Sequence, residues 1–193
     1  MRALVDRIAA TRIGGTFNQY AEGPRAALLR ERLAAYLAAR EDAPVLLVGE
    51  APGYRGARVS GLPFTSERQL TGRGPAEATA TIVQRALREL GLAGHVLLWN
   101  VVPTHPGTAI SNRPPTTEEI RAGIAFVALL AGGRRVVAVG RVAARATGAP
   151  YVRHPSYGGA EAFRTGLQGA VVGADRLLPS GAGGRWAALS PCE

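Results

Sequence analysis

Val45-Leu46-Leu47-Val48-Gly49-Glu50-Ala51-Pro52-Gly53 runs four apolar residues straight into a glycine-bearing turn that carries one acid. An uninterrupted apolar run bounded by turn residues suits a strand buried on both faces, as in a parallel sheet. Gly49 and Gly53 permit backbone approaches that a Cβ forbids, and Pro52 stiffens the turn and holds Ala51 extended. The stretch reads as a rigid loop at the carboxyl end of a buried strand, where open α/β sheets bind their ligands. Two later stretches repeat the arrangement, Val96-Leu97-Leu98-Trp99-Asn100 and the segment ending in Arg153-His154-Pro155-Ser156.

Outward from this strand the pattern alternates. Leu4, Val5, Ile8 and Ala9 suit one short helix, and residues 24–41 a second, with Leu29, Leu33, Tyr36 and Leu37 on one face. Residues 53–75 form a long glycine-rich loop whose apolar cluster is Leu62-Pro63-Phe64, and a loop of that length with an aromatic in it points to function. A helix over 76–90 stops at Gly91, and a second proline-rich loop follows the strand at 96–100. Thr116 and Glu119 form a capping box for the next helix. A third strand at 135–139 turns at Gly140 into a short helix, and a brief fourth strand at 150–152 delivers His154. The alternation predicts a three-layer α/β/α fold with a central four-stranded parallel sheet, in a single domain spanning 1–193. After about Gly169 the pattern dissolves into Gly, Ala and Pro with scattered leucines, a loosely ordered tail from which Trp186 could dock back. Phe17 and Tyr20 have no evident role at this level.

Composition narrows the function classes. No apolar run approaches the roughly 20 residues needed to span a bilayer, and the first residues do not read as a signal peptide. The single cysteine, Cys192, excludes an intramolecular disulfide and any cysteine-ligated cluster or zinc finger, so no cofactor is expected and a cytoplasmic location is the default. The net charge is +9, and all 23 basic side chains are arginines. Arginine in place of lysine fits a GC-rich genome, whereas the excess of positive charge fits a polyanionic partner.

Gly49-Glu50-Ala51-Pro52-Gly53, then Gly61-Leu62-Pro63-Phe64, then Leu97-Leu98-Trp99-Asn100, then His154-Pro155-Ser156 resembles the uracil-DNA glycosylase superfamily, and the first motif is closest to its family 4 branch. The resemblance spans about residues 45–163. It implies that Phe64 stacks on an extruded uracil and that Asn100 reads the uracil edge. It also implies that His154 donates a hydrogen bond to O2 as negative charge builds there. The backbone of Gly49, Ala51 and Gly53 would line the base pocket, Tyr157 would lie where the family places its intercalating wedge, and Arg153 and Ser156 would face DNA. The partner implied is uracil-containing DNA, bound by a monomer associated with the nucleoid.

Departures from the family pattern are equally specific. The four cysteines of the family 4 iron–sulfur cluster are missing, and the loop from Gly53 to Phe64 is one residue longer and lacks the acidic pair after the first motif. Ala51 stands where the uracil-specific family 1 enzymes carry an aspartate, and Gly53 where they carry a thymine-blocking tyrosine. Glu50 is the nominee for orienting the water, with Glu67 in reserve. Without a lysine the chain cannot form a lysine Schiff base, which predicts a monofunctional enzyme that leaves an abasic site. Two alternatives stay open: a glycosylase for another deaminated base such as hypoxanthine or xanthine, and a relative that binds lesions without turnover. A nucleotide-binding α/β hydrolase is disfavoured by the lack of a phosphate-binding Gly-Lys loop and of a serine nucleophile elbow.

Overall fold

Val45–Gly49 is buried at every position and forms β1, the centre of the sheet. The structure, a computed structural model, describes residues 1–172. Its helices are α1 (Arg2–Ala10), α2 (Ala26–Ala38), α3 (Ala57–Ser60), α4 (Glu67–Thr71), α5 (Ala78–Glu89), α6 (Thr117–Ala131), α7 (Arg141–Thr147) and α8 (Ala160–Val172). The strands are β1, β2 (Val96–Asn100), β3 (Arg135–Val139) and β4 (Tyr151–Val152), in the order β2-β1-β3-β4 with every pairing parallel.

Strand side chains alternate between faces, and the two halves of the core divide accordingly. Leu46 and Val48 join Leu97, Trp99 and Ala138 on one face, under Val5 and Ile8 of α1, Leu29, Leu33 and Leu37 of α2, and Phe126, Val127 and Leu130 of α6. Val45 and Leu47 join Leu98, Val137 and Val152 on the other, under Val83 and Leu87 of α5 and Phe163 and Leu167 of α8. The fold is therefore the three-layer α/β/α arrangement that the continuous apolar strands imply. The open edge of β2 is covered locally, since the Leu98 amide donates to the Tyr36 hydroxyl at 2.6 Å.

Three features depart from the sequence reading. Residues 160–172, to which the sequence reading assigned no element, form α8, and its Phe163 and Leu167 are fully buried. The rest of the expected tail, Trp186 and Cys192 included, lies outside the described residues. The long loop after β1 contains two short helices, α3 and α4, the latter closed by a capping box between Ser66 and Gln69. Residues 17–20 have a clear structural role. The Phe17 and His105 backbones pair as an antiparallel bridge, Gln19 donates to Pro103 O at 2.9 Å, and the Tyr20 hydroxyl donates to Gly61 O at 2.8 Å. The segment thus ties the loop after β1 to the loop after β2.

In strand order the chain steps from β1 to one neighbour and then returns past it to the other side. Ligands of open α/β sheets bind at the carboxyl ends of the strands near such a reversal.

Candidate active site

At that edge a cavity of about 210 Å³ opens, lined among others by Glu50, Phe64, Glu77, Asn100, Asn112 and His154. This is below the roughly 300–1,000 Å³ of pockets for drug-sized ligands and suits a single flat ring system.

Phe64 forms one wall. Its φ of +50° is a left-handed conformation rare for a bulky side chain, sustained only where neighbours over-determine it. Here the Gln84 amide donates to Phe64 O and to Thr65 Oγ1, each at 3.1 Å, and the Ser60 hydroxyl donates to Thr65 O at 2.6 Å. The ring is laid against the end of β1. A Cβ on Gly49 would overlap it and come within 2.9 Å of Asn100 Oδ1, so close approach, not turn geometry, requires glycine here.

Asn100 ends β2, 4 % exposed, with its side chain on the cavity. No protein group among the described residues hydrogen-bonds its carboxamide. Because the amide opens onto the cavity, its donor and acceptor are available to whatever occupies that space.

His154 follows β4. The Ser156 amide donates to its Nδ1 at 3.2 Å, and the Ser156 hydroxyl lies 2.8 Å from the same nitrogen. Nδ1 is therefore the acceptor, which assigns the proton of the neutral ring to Nε2. Burial lowers the pKa of His154 and favours that neutral form. The ring is thus a neutral N–H donor held by the residue two places on.

Two carboxyls share the cavity. Glu50 is half-buried, and burial raises its pKa. Glu77, which the sequence reading missed, stands at the N-cap of α5 without capping it. Its carboxyl instead fills the space beside Gly53 and Gly56, where a Cβ on either glycine would overlap it, and burial raises its pKa as well. The reserve nominee Glu67 is excluded by position. It accepts from Arg25 at 2.8 Å and from Arg32 at 2.8 and 3.2 Å, away from the cavity lining. Burial raises its pKa and the two arginines lower it, with a net downward shift. Glu67 is a structural anion joining α4 to α2.

Ala51, Pro52 and Gly53 line the cavity as the first motif suggests. Arg153 and Tyr157 lie outside it. Arg153 is exposed and donates to Tyr157 O at 3.3 Å. Tyr157 is 98 % exposed at φ +51°, the second non-glycine residue with positive φ among those described.

The loop after β2 contributes Pro106, Asn112 and Arg113 to the lining, none of them foreseen. Asn112 Oδ1 accepts from the Tyr54 amide at 2.9 Å. Arg113 forms a two-pronged pair with buried Glu119, at 2.6 and 2.8 Å, which holds the Glu119 pKa down to about 2. Fully buried His105 lies with Nδ1 2.8 Å from Pro52 O and Nε2 2.8 Å from Thr108 O, and its ring N–H donates to one of the two, tying the first motif and this loop together. No signal in the sequence marks the Tyr54–Asn112 and Pro52–His105 contacts, because they join residues 58 and 53 positions apart. Among the described residues no cluster of His, Cys, Asp or Glu is placed to hold a metal ion. An aromatic wall, an open amide, a neutral N–H donor and two carboxyls can grip a planar heterocycle by its edge and meet charge of either sign beside it.

Comparison with known proteins gives three results. The family model described as the uracil DNA glycosylase superfamily matches residues 37–180. A solved structure described as wild-type SMUG2 of Pedobacter heparinus superposes with a TM-score of 0.65 at 14 % identity, covering 90 % of this chain and 98 % of that one. No curated protein sequence matches the chain.

Proposed function

Because the chain belongs to the uracil DNA glycosylase superfamily and so has the fold and the DNA glycosylase chemistry of that family, we propose that its target base is uracil. We propose further that it acts by hydrolysis alone, leaving an abasic site. The observation that carries this reading is the meeting of Phe64, Asn100 and His154 in one cavity, with the imidazole proton on the nitrogen not engaged by Ser156.

A base cannot be attacked while stacked, so it is turned out into a pocket and read on its edge. Phe64 would stack on the ring, and Asn100 would bond O4 and N3–H through the two ends of its free amide. As the C1′–N1 bond breaks, its electron pair leaves with the base and builds negative charge on O2. His154 Nε2–H is the preorganised donor for that oxygen. Water then adds to C1′ and gives its proton to a carboxylate, the role assigned to Glu50. The Glu77 carboxylate adds a second negative charge near the cationic sugar. Neither acid stands at Ala51, the position where family 1 enzymes carry their aspartate, so the task falls to other carboxyls on the same cavity.

The test is a nicking assay on uracil-containing and matching thymine-containing oligonucleotides, with and without alkali. Cleavage of the uracil strand only after alkali is expected. Cleavage before alkali would overturn the monofunctional reading. Inertness on uracil, with excision of hypoxanthine or xanthine, would move the assignment to those bases. Tight, salt-sensitive binding of damaged DNA with no released base would indicate lesion binding without turnover.

A further inference from the structure

The two most exposed large apolar side chains among the described residues are Tyr157, 98 % exposed, and Ile110, 82 % exposed; the next, Leu129, is 54 %. A lone exposed aliphatic residue needs no explanation, but Ile110 has a particular setting. It sits in a tight turn closed by the Gly107–Asn112 bridge, by the Thr108 amide bonding Ser111 O at 3.1 Å and by a 2.7 Å bond between the Thr108 and Ser111 hydroxyls. The Ile110 amide donates to Thr108 Oγ1 at 3.3 Å, so the residue that carries the apolar side chain is itself fixed. Pro106 at one foot of the turn, and Asn112 and Arg113 at the other, line the cavity. His105 lies between Thr108 O of the turn and Pro52 O of the first motif, and the Arg113–Glu119 pair anchors the turn's other side to α6. The turn is braced, with its aliphatic tip exposed to solvent and its two feet on the pocket lining.

We propose that Ile110 is a wedge that inserts between base pairs of duplex DNA while the target base occupies the pocket, a second contact besides Tyr157. This rests on the reading of the protein as a DNA glycosylase. Aliphatic wedges of this kind unstack a base step and leave the backbone to be held by cations. The overall charge of +9 supplies the complementary sign, while Arg113 at the foot of the turn is held by Glu119. The stacked duplex is the occupant that matches an aliphatic tip on a chain of net positive charge, and it is the substrate that must be opened for a base to reach Asn100.

The experiment compares wild type, Ile110→Ser and Ile110→Leu on uracil in duplex and in single-stranded oligonucleotides, with 2-aminopurine beside the target to report unstacking. Ile110→Ser is expected to lose about tenfold in duplex excision while single-strand excision stays within about twofold, since only the duplex has a stack to open. Ile110→Leu is expected to keep the duplex rate. Equal duplex rates in wild type and Ile110→Ser would overturn the proposal, as would an equal loss on both substrates. Should the wild-type protein excise no base, the glycosylase reading fails separately. The wedge is then judged on a duplex with a tetrahydrofuran abasic analogue: a 2-aminopurine signal present with wild type and absent with Ile110→Ser supports it, and equal signals overturn it.

Discussion

Ser156 shows how much of the site depends on one backbone amide. Its N–H fixes the acceptor nitrogen of His154 and so fixes the donor on the other. Replacing a donor aimed at developing charge costs about 10²–10³ in rate where the geometry is tight, so His154→Ala and Asn100→Ala are each expected to lose at least about tenfold in single-turnover excision. Ser156→Ala keeps the amide and is expected to lose less than His154→Ala; a loss of equal size would move the essential role to the hydroxyl. The acid side of the pH profile follows from the same shifts. His154 must be neutral and its pKa is lowered by burial, while Glu50 must be ionised and its pKa is raised by burial. Both requirements fail as pH falls, in a window between the ordinary carboxylate value of about 4.3 and the ordinary histidine value of about 6.5. Glu77 gives a prediction of opposite sense for stability. Its folded pKa is raised, so its contribution is present below the unfolded pKa and is lost as pH rises through the folded one. At pH 7 Glu77→Gln is therefore expected to melt no lower than wild type, and higher if the charge is unrelieved, while excision slows. A lower melting temperature would show that the carboxylate is structural.

Elements were legible where a single periodicity dominates. The first three strands read directly as apolar runs, and the capping box at Thr116 and Glu119 marks α6 where it begins. Helix α8 was hidden by its glycines. Gly166 lies where a Cβ would come within 3.2 Å of Val152, so that glycine admits the helix to β4 and at the same time masks it in the sequence. Phe163 and Leu167, four residues apart and fully buried, were the signal that remained. Phe163→Ala is expected to destabilise the protein by about 3–5 kcal/mol in urea unfolding, the range for emptying a buried aromatic site. A cost under 1 kcal/mol would mean that α8 is not part of the core. The brace of residues 17–20 was illegible for another reason: Tyr20 and Gly61 are 41 positions apart, and neither pattern nor motif announces the pairing. The site followed the same rule. Phe64, Asn100 and His154 were legible from motifs, whereas Glu77, Asn112 and Arg113 belong to no motif and were brought in by loop geometry alone.

For the molecule as a whole, the charge of +9 carries a prediction that no single residue does. Arginine contacts to phosphates release counterions, with a log–log slope of about −0.9 per contact on duplex DNA. Affinity for a uracil-free duplex is expected to fall at least about tenfold between about 50 and about 200 mM salt. A salt-independent affinity would show that the basic surface does not meet the backbone. No helix among the described residues is long and apolar enough to cross a membrane. The crowding of Gly53, Gly56 and Glu77 has a consequence for descent. A side chain at either glycine would collide with the acid, and an acid shortened or lost would leave both glycines without their reason. Lineages with side chains at residues 53 or 56 should therefore either lack Glu77 or hold its carboxyl elsewhere.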